Sequence, residues 1–307
     1  MKTPFQPPYA ETVSSQARET LTPLLNQGPV PRMPALVMRT LTAPVQGQIV
    51  KRRGVKGVDE VKTTMAGVPV RVFTRTGVDA DSARRLLINV HGGGFEIDAG
   101  SQSENIPLAA RLDAAVVAVR YRLAPKHAFP AAVDDVLAVY REALKTRPPE
   151  RIVAYGTSAG AVLTTQLLAR LKVEGLPMPA AAGIFSGAGD LSQDGDCEAY
   201  LPRIIAGESL MQSVSAYVGK TDRKDPLLSP VFSDLSGLPP VLLLTSTRDQ
   251  LLSSTVILHR ALKRAGVAAE LEVWDGLPHA FWAWLDCPET EDAFDAMAAF
   301  FDRRLAP

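Results

Sequence analysis

The sequence predicts an α/β fold: a mostly parallel central sheet flanked by helices. Three observations carry this. From about residue 60 onward, short apolar runs alternate with longer helical segments, the pattern of strands joined by crossover helices. The runs are apolar almost throughout, as strands covered on both faces must be. The composition of the 307 residues, 46% apolar and 21% charged, is globular, and the chain is long enough to bury a large core without disulfides or a structural metal.

The first fifty residues stand apart. Eight of the 24 prolines fall there, at positions 4, 7, 8, 23, 29, 31, 34 and 44. Segments such as 10–25 read as short helices interrupted by proline. Such a segment cannot build a core alone, so it is expected to lie over something else, as a lid or as a loose arm. Residues 68–74 then read as a strand, with a partner strand ahead of the Ala66-Gly67 turn. Residues 86–90, 115–121, 151–155, 181–185, 241–245 and 269–274 supply the remaining strands. Residues 106–112, 131–144, 159–171, 252–264 and 289–303 have helical composition or spacing. The stretch from about 190 to 235, rich in Gly, Ser, Asp and Pro, breaks the alternation and reads as an insertion.

Charge and cysteine content narrow the function. Lys+Arg and Asp+Glu each number 33, a formal net charge of zero. That balance argues against a nucleic-acid footprint and against a polybasic membrane contact. Two cysteines, Cys197 and Cys287, offer no zinc spacing and no disulfide framework. The N-terminus lacks a signal-peptide apolar region and no run is long enough to span a bilayer. A cytoplasmic protein without stable membrane insertion is expected.

Two glycine-rich motifs carry the chemistry. Gly156-Thr157-Ser158-Ala159-Gly160 is a GxSxG between a strand and a helix, the setting of a nucleophile elbow. The alternative role for Ser158 is that of a helix N-cap after a glycine turn. His91-Gly92-Gly93-Gly94-Phe95 follows a strand upstream, where three glycines let the backbone approach a ligand and aim its amides outward. This is an HGGG-type oxyanion loop; no Walker spacing or GxGxxG supports nucleotide binding.

A nucleophilic serine needs a base and an acid. Of the four histidines, His91 shapes the glycine loop, His127 lies in a post-strand loop and His259 lies on a helix. His279, in a loop after the last strand, fits the chain order Ser…Asp/Glu…His and is the candidate base. Asp249 directly follows the strand at 241–245 and is the candidate acid, with an Arg248 salt bridge or a helix cap as its ordinary alternative. Asp275 stands too near His279 in sequence, and Asp190 and Asp225 read as turn residues. A histidine base predicts a rate that falls on acidification.

HGGGF, YRLAPKHAFPAAVDD, GTSAG, TRDQL and GLPHAFW together resemble the hormone-sensitive-lipase-like (bacterial family IV) branch of the α/β-hydrolase superfamily, over roughly residues 85–305. The resemblance implies hydrolysis of short to medium acyl esters of small molecules, without a metal or organic cofactor. It implies a Ser158–His279–Asp249 triad, an oxyanion hole from the amides of Gly93, Gly94 and Ala159, and a homodimer through the edge of the last strand. It also implies a helical cap. The chain then divides into an N-terminal cap segment over 1–50 and a catalytic domain over 51–307 with a cap insertion at about 190–235. This sequence departs from the family at Thr157, where Asp or Glu is common. It departs also at Lys126-His127-Ala128, Gly187 and Gln250, and Glu96 puts a charge near the oxyanion loop.

Phe95, Phe281, Trp282 and Trp284 flank the site, as pocket lining or as ordinary core. Tyr200, Ile204, Ile205, Met211 and Tyr217 are candidates for the cap's apolar underside. Two other readings stay open: a non-catalytic ligand receptor, as in plant gibberellin receptors that have lost the triad histidine, and an amidase or peptidase using the same triad.

Overall fold

The strands are apolar on both sides because each alternate residue enters a different core. In β3 (Leu86–Val90), Leu86, Ile88 and Val90 join one buried cluster while Leu87 joins the other. The computed structural model describes residues 8–25, 35–200 and 214–307. Its sheet comprises β1 (Val58–Met65), β2 (Val68–Arg75), β3, β4 (Ala115–Val119), β5 (Ile152–Thr157), β6 (Ala181–Phe185), β7 (Val241–Arg248) and β8 (Ala269–Pro278). The order is β1-β2-β4-β3-β5-β6-β7-β8. Pairing is antiparallel across β1–β2–β4 and parallel from β4 to β8. The fold is α/β as the alternation predicts.

Among the described residues, helices α1 (Ser15–Leu25), α2 (Ala35–Arg53), α3 (Asn105–Arg111), α4 (Ala131–Leu144), α5 (Ala159–Val173), α6 (Asp196–Tyr200), α7 (Ser215–Val218), α8 (Leu252–Arg264) and α9 (Pro288–Arg304) surround the sheet. Residues of α4, α5 and α8, such as Val136, Leu167 and Leu258, build the first core. Leu108 of α3 and Phe294, Met297 and Phe301 of α9 build the second. Among the described residues no helix is long and apolar enough to cross a membrane.

Proline interrupts the N-terminal segment less than its spacing predicts. Helix α2 runs through Pro44 for 19 residues, and Pro23 lies inside α1. A helix tolerates proline at the cost of one backbone hydrogen bond and a local bend. Residues 8–25 are part of the fold and not a loose arm: Tyr9, Val13, Ala17 and Leu21 are buried in the second core beside Leu277 and Trp282. Their spacing of four puts Val13, Ala17 and Leu21 on one side of the chain. At the far end of α2, Arg53 donates to the carbonyls of Ser103 (3.0 Å), Trp282 (2.6 Å) and Leu285 (2.7 Å), tying that helix to the segment after β8.

The described residues of the stretch 190–235 contain α6, α7 and a short 3-10 turn at Pro230–Phe232, and no strand. Of the cap candidates, Ile204, Ile205 and Met211 lie outside the described residues, as does the side chain of Tyr200. Tyr217 is buried: its ring stacks on Phe95 at 3.8 Å and its hydroxyl donates to Gln166 Oε1 at 2.5 Å. Two strands run longer than expected. Residues beyond Thr245 in β7 pair with the tail of β8 across an irregularity between Ser246 and Arg248. The extension carries the chain up to Pro278, one residue before His279.

Leu21→Ala is expected to cost about 2–5 kcal/mol, the usual penalty for truncating a fully buried leucine. Urea unfolding measures it, and an unchanged midpoint would remove residues 8–25 from the core.

Candidate active site

Ser158 is the single residue between β5 and α5, at φ 58° and ψ −120°, a conformation unfavourable for a side chain. Close packing imposes it: a Cβ on Gly160 would lie 1.8 Å from the Val90 carbonyl oxygen, so α5 starts hard against the end of β3. The Ser158 amide donates to the Phe185 carbonyl (2.8 Å), and its own carbonyl accepts from Ala161 and Val162. Its hydroxyl makes no capping bond to the helix. It lies instead 2.9 Å from Nε2 of His279.

The imidazole is fixed from behind. His279 Nδ1 is 2.7 Å from Asp249 Oδ1. That carboxylate can only accept, so Nδ1 carries the proton and Nε2 is left to accept from Ser158. The Trp284 indole donates to the His279 carbonyl at 3.1 Å, holding the backbone in place. Asp249 is completely buried at the end of β7. It accepts from the Leu251 amide (2.8 Å), from Thr245 Oγ1 (3.0 Å) and from Ser186 Oγ. Burial alone pushes its pKa up. The charge and hydrogen bond of His279, with the bonds from Ser186 and Leu251, hold it below the usual carboxylate range. Among the described residues Asp249 forms no salt bridge with Arg248, whose side chain lies over the Tyr9 ring at 4.0 Å and donates to the Pro8 carbonyl.

The glycine loop closes the third side. Gly93, Gly94 and Phe95 all have positive φ, at 117°, 62° and 66°. A Cβ on Gly93 would strike the Ile97 carbonyl at 2.2 Å, and one on Gly92 would come within 3.3 Å of Ser158 Cβ. The loop therefore folds tightly on itself and lies against the serine turn. His91 shapes it as expected, its Nδ1 2.9 Å from the Gly92 carbonyl and its ring stacked on Tyr121. The unusual backbone of Phe95 is supported by the Tyr217 ring and by the Ala124 amide, which donates to the Phe95 carbonyl. Among the described residues no hydrogen bond uses the amides of Gly93, Gly94 or Ala159. The Ala159 amide also opens a 15-residue helix, where partial positive charge gathers.

The remaining candidates fall elsewhere. His127 and His259 share no hydrogen bond with Ser158 among the described residues. Asp275 accepts from Thr12 and Thr247 and so fastens the N-terminal segment to β7 and β8. Asp190 and Asp225 accept from amides two residues on, as turn residues do. Phe95, Phe281 and Trp282 are core, while Trp284 is half-buried, as is Glu96. A Cβ at Gly187 would meet Ala161 Cβ at 2.4 Å, which accounts for glycine there. Sequence reasoning gave no role to Ser186, just after β6, or to Thr245, within β7, although both hydroxyls bond Asp249. It also missed the buried polar groups of Glu104, Asn105 and Tyr155.

Fold and site together describe an α/β hydrolase. A protein-family profile for the alpha/beta hydrolase fold matches residues 87–283. An acetyl-hydrolase of Streptomyces hygroscopicus is 34% identical over 226 residues, 70% of this chain and 75% of that protein. The crystal structure of an esterase designated E25 superposes with a TM-score of 0.83 at 30% identity, covering 100% of this chain and 99% of that one. That of a hormone-sensitive lipase from a metagenome library does so with a TM-score of 0.79 at 32% identity, covering 89% and 94%. The chain belongs to the α/β-hydrolase family, in its hormone-sensitive-lipase-like branch.

Because its folded pKa is depressed, Asp249 contributes stability that is complete above the ordinary value of 3.8 and is lost as pH falls through the folded value. Asp249→Asn is therefore expected to lower the thermal midpoint at pH 7, by a margin that narrows as pH falls below 3.8. Calorimetry across pH tests this; a gap that does not narrow in acid would contradict an ionised Asp249.

Proposed function

We propose that this protein is a carboxylic ester hydrolase in which Ser158, His279 and Asp249 act as nucleophile, base and orienting acid. The observation that carries the reading is the continuous chain of contacts from Ser158 Oγ through His279 to Asp249, at 2.9 and 2.7 Å. His279 takes the serine proton as Ser158 attacks the ester carbonyl, and Asp249 stabilises the imidazolium that forms. The amides of Gly93, Gly94 and Ala159 receive the developing oxyanion, each such donor being worth roughly 3–4 kcal/mol in the transition state. His279 then protonates the leaving alcohol, and water repeats the cycle on the acyl-enzyme.

The substrate is a small-molecule ester with a short to medium acyl group. The short end is supported by the name of the Streptomyces relative, an acetyl-hydrolase. The cap above the site is supplied by the described residues of 35–50 and of the insertion at about 190–235, while residues 8–25 pack in the second core, and the Tyr217–Phe95 stack supports this by joining the insertion to the oxyanion loop. The exposed edge of β8, where Val273 is 45% accessible, suits a homodimer contact. The free thiols of Cys197 and Cys287 suit a reducing cytoplasm.

Ser158→Ala should abolish hydrolysis of p-nitrophenyl esters across acyl lengths C2 to C12, with wild-type rates highest at short to medium chains. Asp249→Asn should lower kcat by about 10⁴-fold, the scale of losing the correct imidazole tautomer. Matched anilides should turn over far more slowly than the esters. An inert wild type would favour a ligand receptor, and equal anilide turnover an amidase.

A further inference from the structure

The N–H groups assigned to the oxyanion hole are aimed by the carbonyls of their own peptide groups. A trans peptide is planar and points its C=O and N–H in opposite directions, so a carbonyl that is held fixes where the next residue's N–H points. In the glycine loop both such carbonyls are held. The Gly92 carbonyl, on the peptide that carries the Gly93 N–H, accepts from the Ala99 amide at 3.2 Å and lies 2.9 Å from His91 Nδ1. The Gly93 carbonyl, on the peptide that carries the Gly94 N–H, accepts from the amides of Glu96 and Ile97, each at 3.1 Å. The segment 96–99 therefore sets the aim of both N–H groups.

That segment is gripped in turn from α2. Gln46 is 4% exposed, and its carboxamide spans two points of the chain that follows the glycine loop. Nε2 donates to the Asp98 carbonyl at 2.9 Å, and Oε1 accepts from the Gln102 amide at 2.8 Å. A carbonyl only accepts and an amide N–H only donates, so the carboxamide fits in one orientation. The Asp98 carbonyl and the Ala99 N–H belong to one peptide group. A single line of bonded groups thus runs from Gln46 through the Asp98–Ala99 peptide to the Gly92–Gly93 peptide. In such a line each bond polarises the next, which makes the final N–H, that of Gly93, a stronger donor. The support is firm at both ends. Gln102 Nε2 donates to Glu60 Oε2 at 2.7 Å, Glu60 pairs with Arg71 at 3.2 Å, and Ser101 donates to the Asp98 carboxylate from its amide (3.1 Å) and its hydroxyl (2.8 Å). Further along α2, Arg53 ties the helix to the carbonyls of Ser103, Trp282 and Leu285.

We propose that Gln46 is a positioning residue for the oxyanion hole, aiming and polarising the Gly93 N–H through the Asp98–Ala99 peptide. Among the described residues it shares no hydrogen bond with Ser158, His279 or Asp249, so it acts on the reaction through the glycine loop. Its loss weakens binding of the transition state, where the oxyanion forms, and leaves ground-state binding and the histidine base as they are. This rests on the reading of Gly93, Gly94 and Ala159 as the oxyanion donors and of Ser158 as the nucleophile.

The test compares a trifluoromethyl ketone, to which a nucleophilic serine adds to give a hemiketal oxyanion, with the matching methyl ketone, alongside kcat and KM for a p-nitrophenyl ester. The wild type should bind the trifluoromethyl ketone at least about a hundredfold more tightly, as transition-state analogues do. Gln46→Met has a similar shape and removes both hydrogen bonds. It should lower kcat and trifluoromethyl-ketone affinity by the same factor, about tenfold, a misaimed donor costing less than the 10²–10³ of a deleted one. KM, methyl-ketone affinity and the acid limb of the pH profile should stay at wild-type values. The proposal is overturned if Gln46→Met keeps wild-type kcat and trifluoromethyl-ketone affinity, or if KM and methyl-ketone affinity weaken by as much as kcat. Should Gln46→Met not fold, Gln46→Asn, whose carboxamide is too short to reach both partners, decides by the same comparison. A wild type that binds the two ketones equally, or that keeps its preference after Ser158→Ala, overturns the oxyanion-hole reading itself. A preference that depends on Ser158 but not on Gln46 overturns only the proposal.

Discussion

How closely α5 can approach β3 sets the geometry of the whole site. Glycine at position 160 lets the start of the helix lie against the Val90 carbonyl, where any side chain would collide. The chain must then turn from β5 into α5 through a single residue, and that residue, Ser158, takes a positive φ that projects its hydroxyl away from the helix it precedes. The same contact brings the end of β3 beside the turn. The glycine loop that follows β3 thus arrives next to Ser158, and among the described residues the amides of its Gly93 and Gly94 make no hydrogen bond.

The opposite wall is electrostatic. Asp249 is completely buried, a costly place for a carboxylate, and its ionisation depends on the donors gathered around it from β6, β7 and the segment after β8. His279 is one of those donors, so the group that needs orientation is also one that stabilises the acid. The N-terminal segment supports this wall from outside. Thr12 holds Asp275, Pro8 receives Arg248, and Val13 packs so close to Gly276 that a Cβ there would lie 2.4 Å away. The ends of β7 and β8, which carry Asp249 and His279, are fastened by residues more than two hundred positions earlier in the chain.

Much of this was legible in the sequence, for reasons specific to each part. Residues 86–90, 131–144, 181–185 and 252–264 matched the elements found because apolar pattern and turn residues agreed at both of their ends. Ser158, His279 and Asp249, which the fold brings into contact, could be singled out because each stands at a strand end in a set order. Other features depend on tertiary context. Nothing local says that α2 continues through Pro44, since the packing that compensates for the lost hydrogen bond comes from distant residues. Ser186 and Thr245 are ordinary hydroxyls after β6 and within β7 until Asp249 is placed between them. Glu104 in sequence is one acidic residue among many, and only the fold shows it buried.

The most direct test of the account is to locate the covalent intermediate. The enzyme would be mixed with p-nitrophenyl butyrate, quenched in acid within the burst phase, digested and mapped by mass spectrometry. The account predicts one butyryl group, carried by the peptide that contains Ser158. A butyryl group on any other side chain, or steady turnover with no acylated peptide at any quench time, would contradict it.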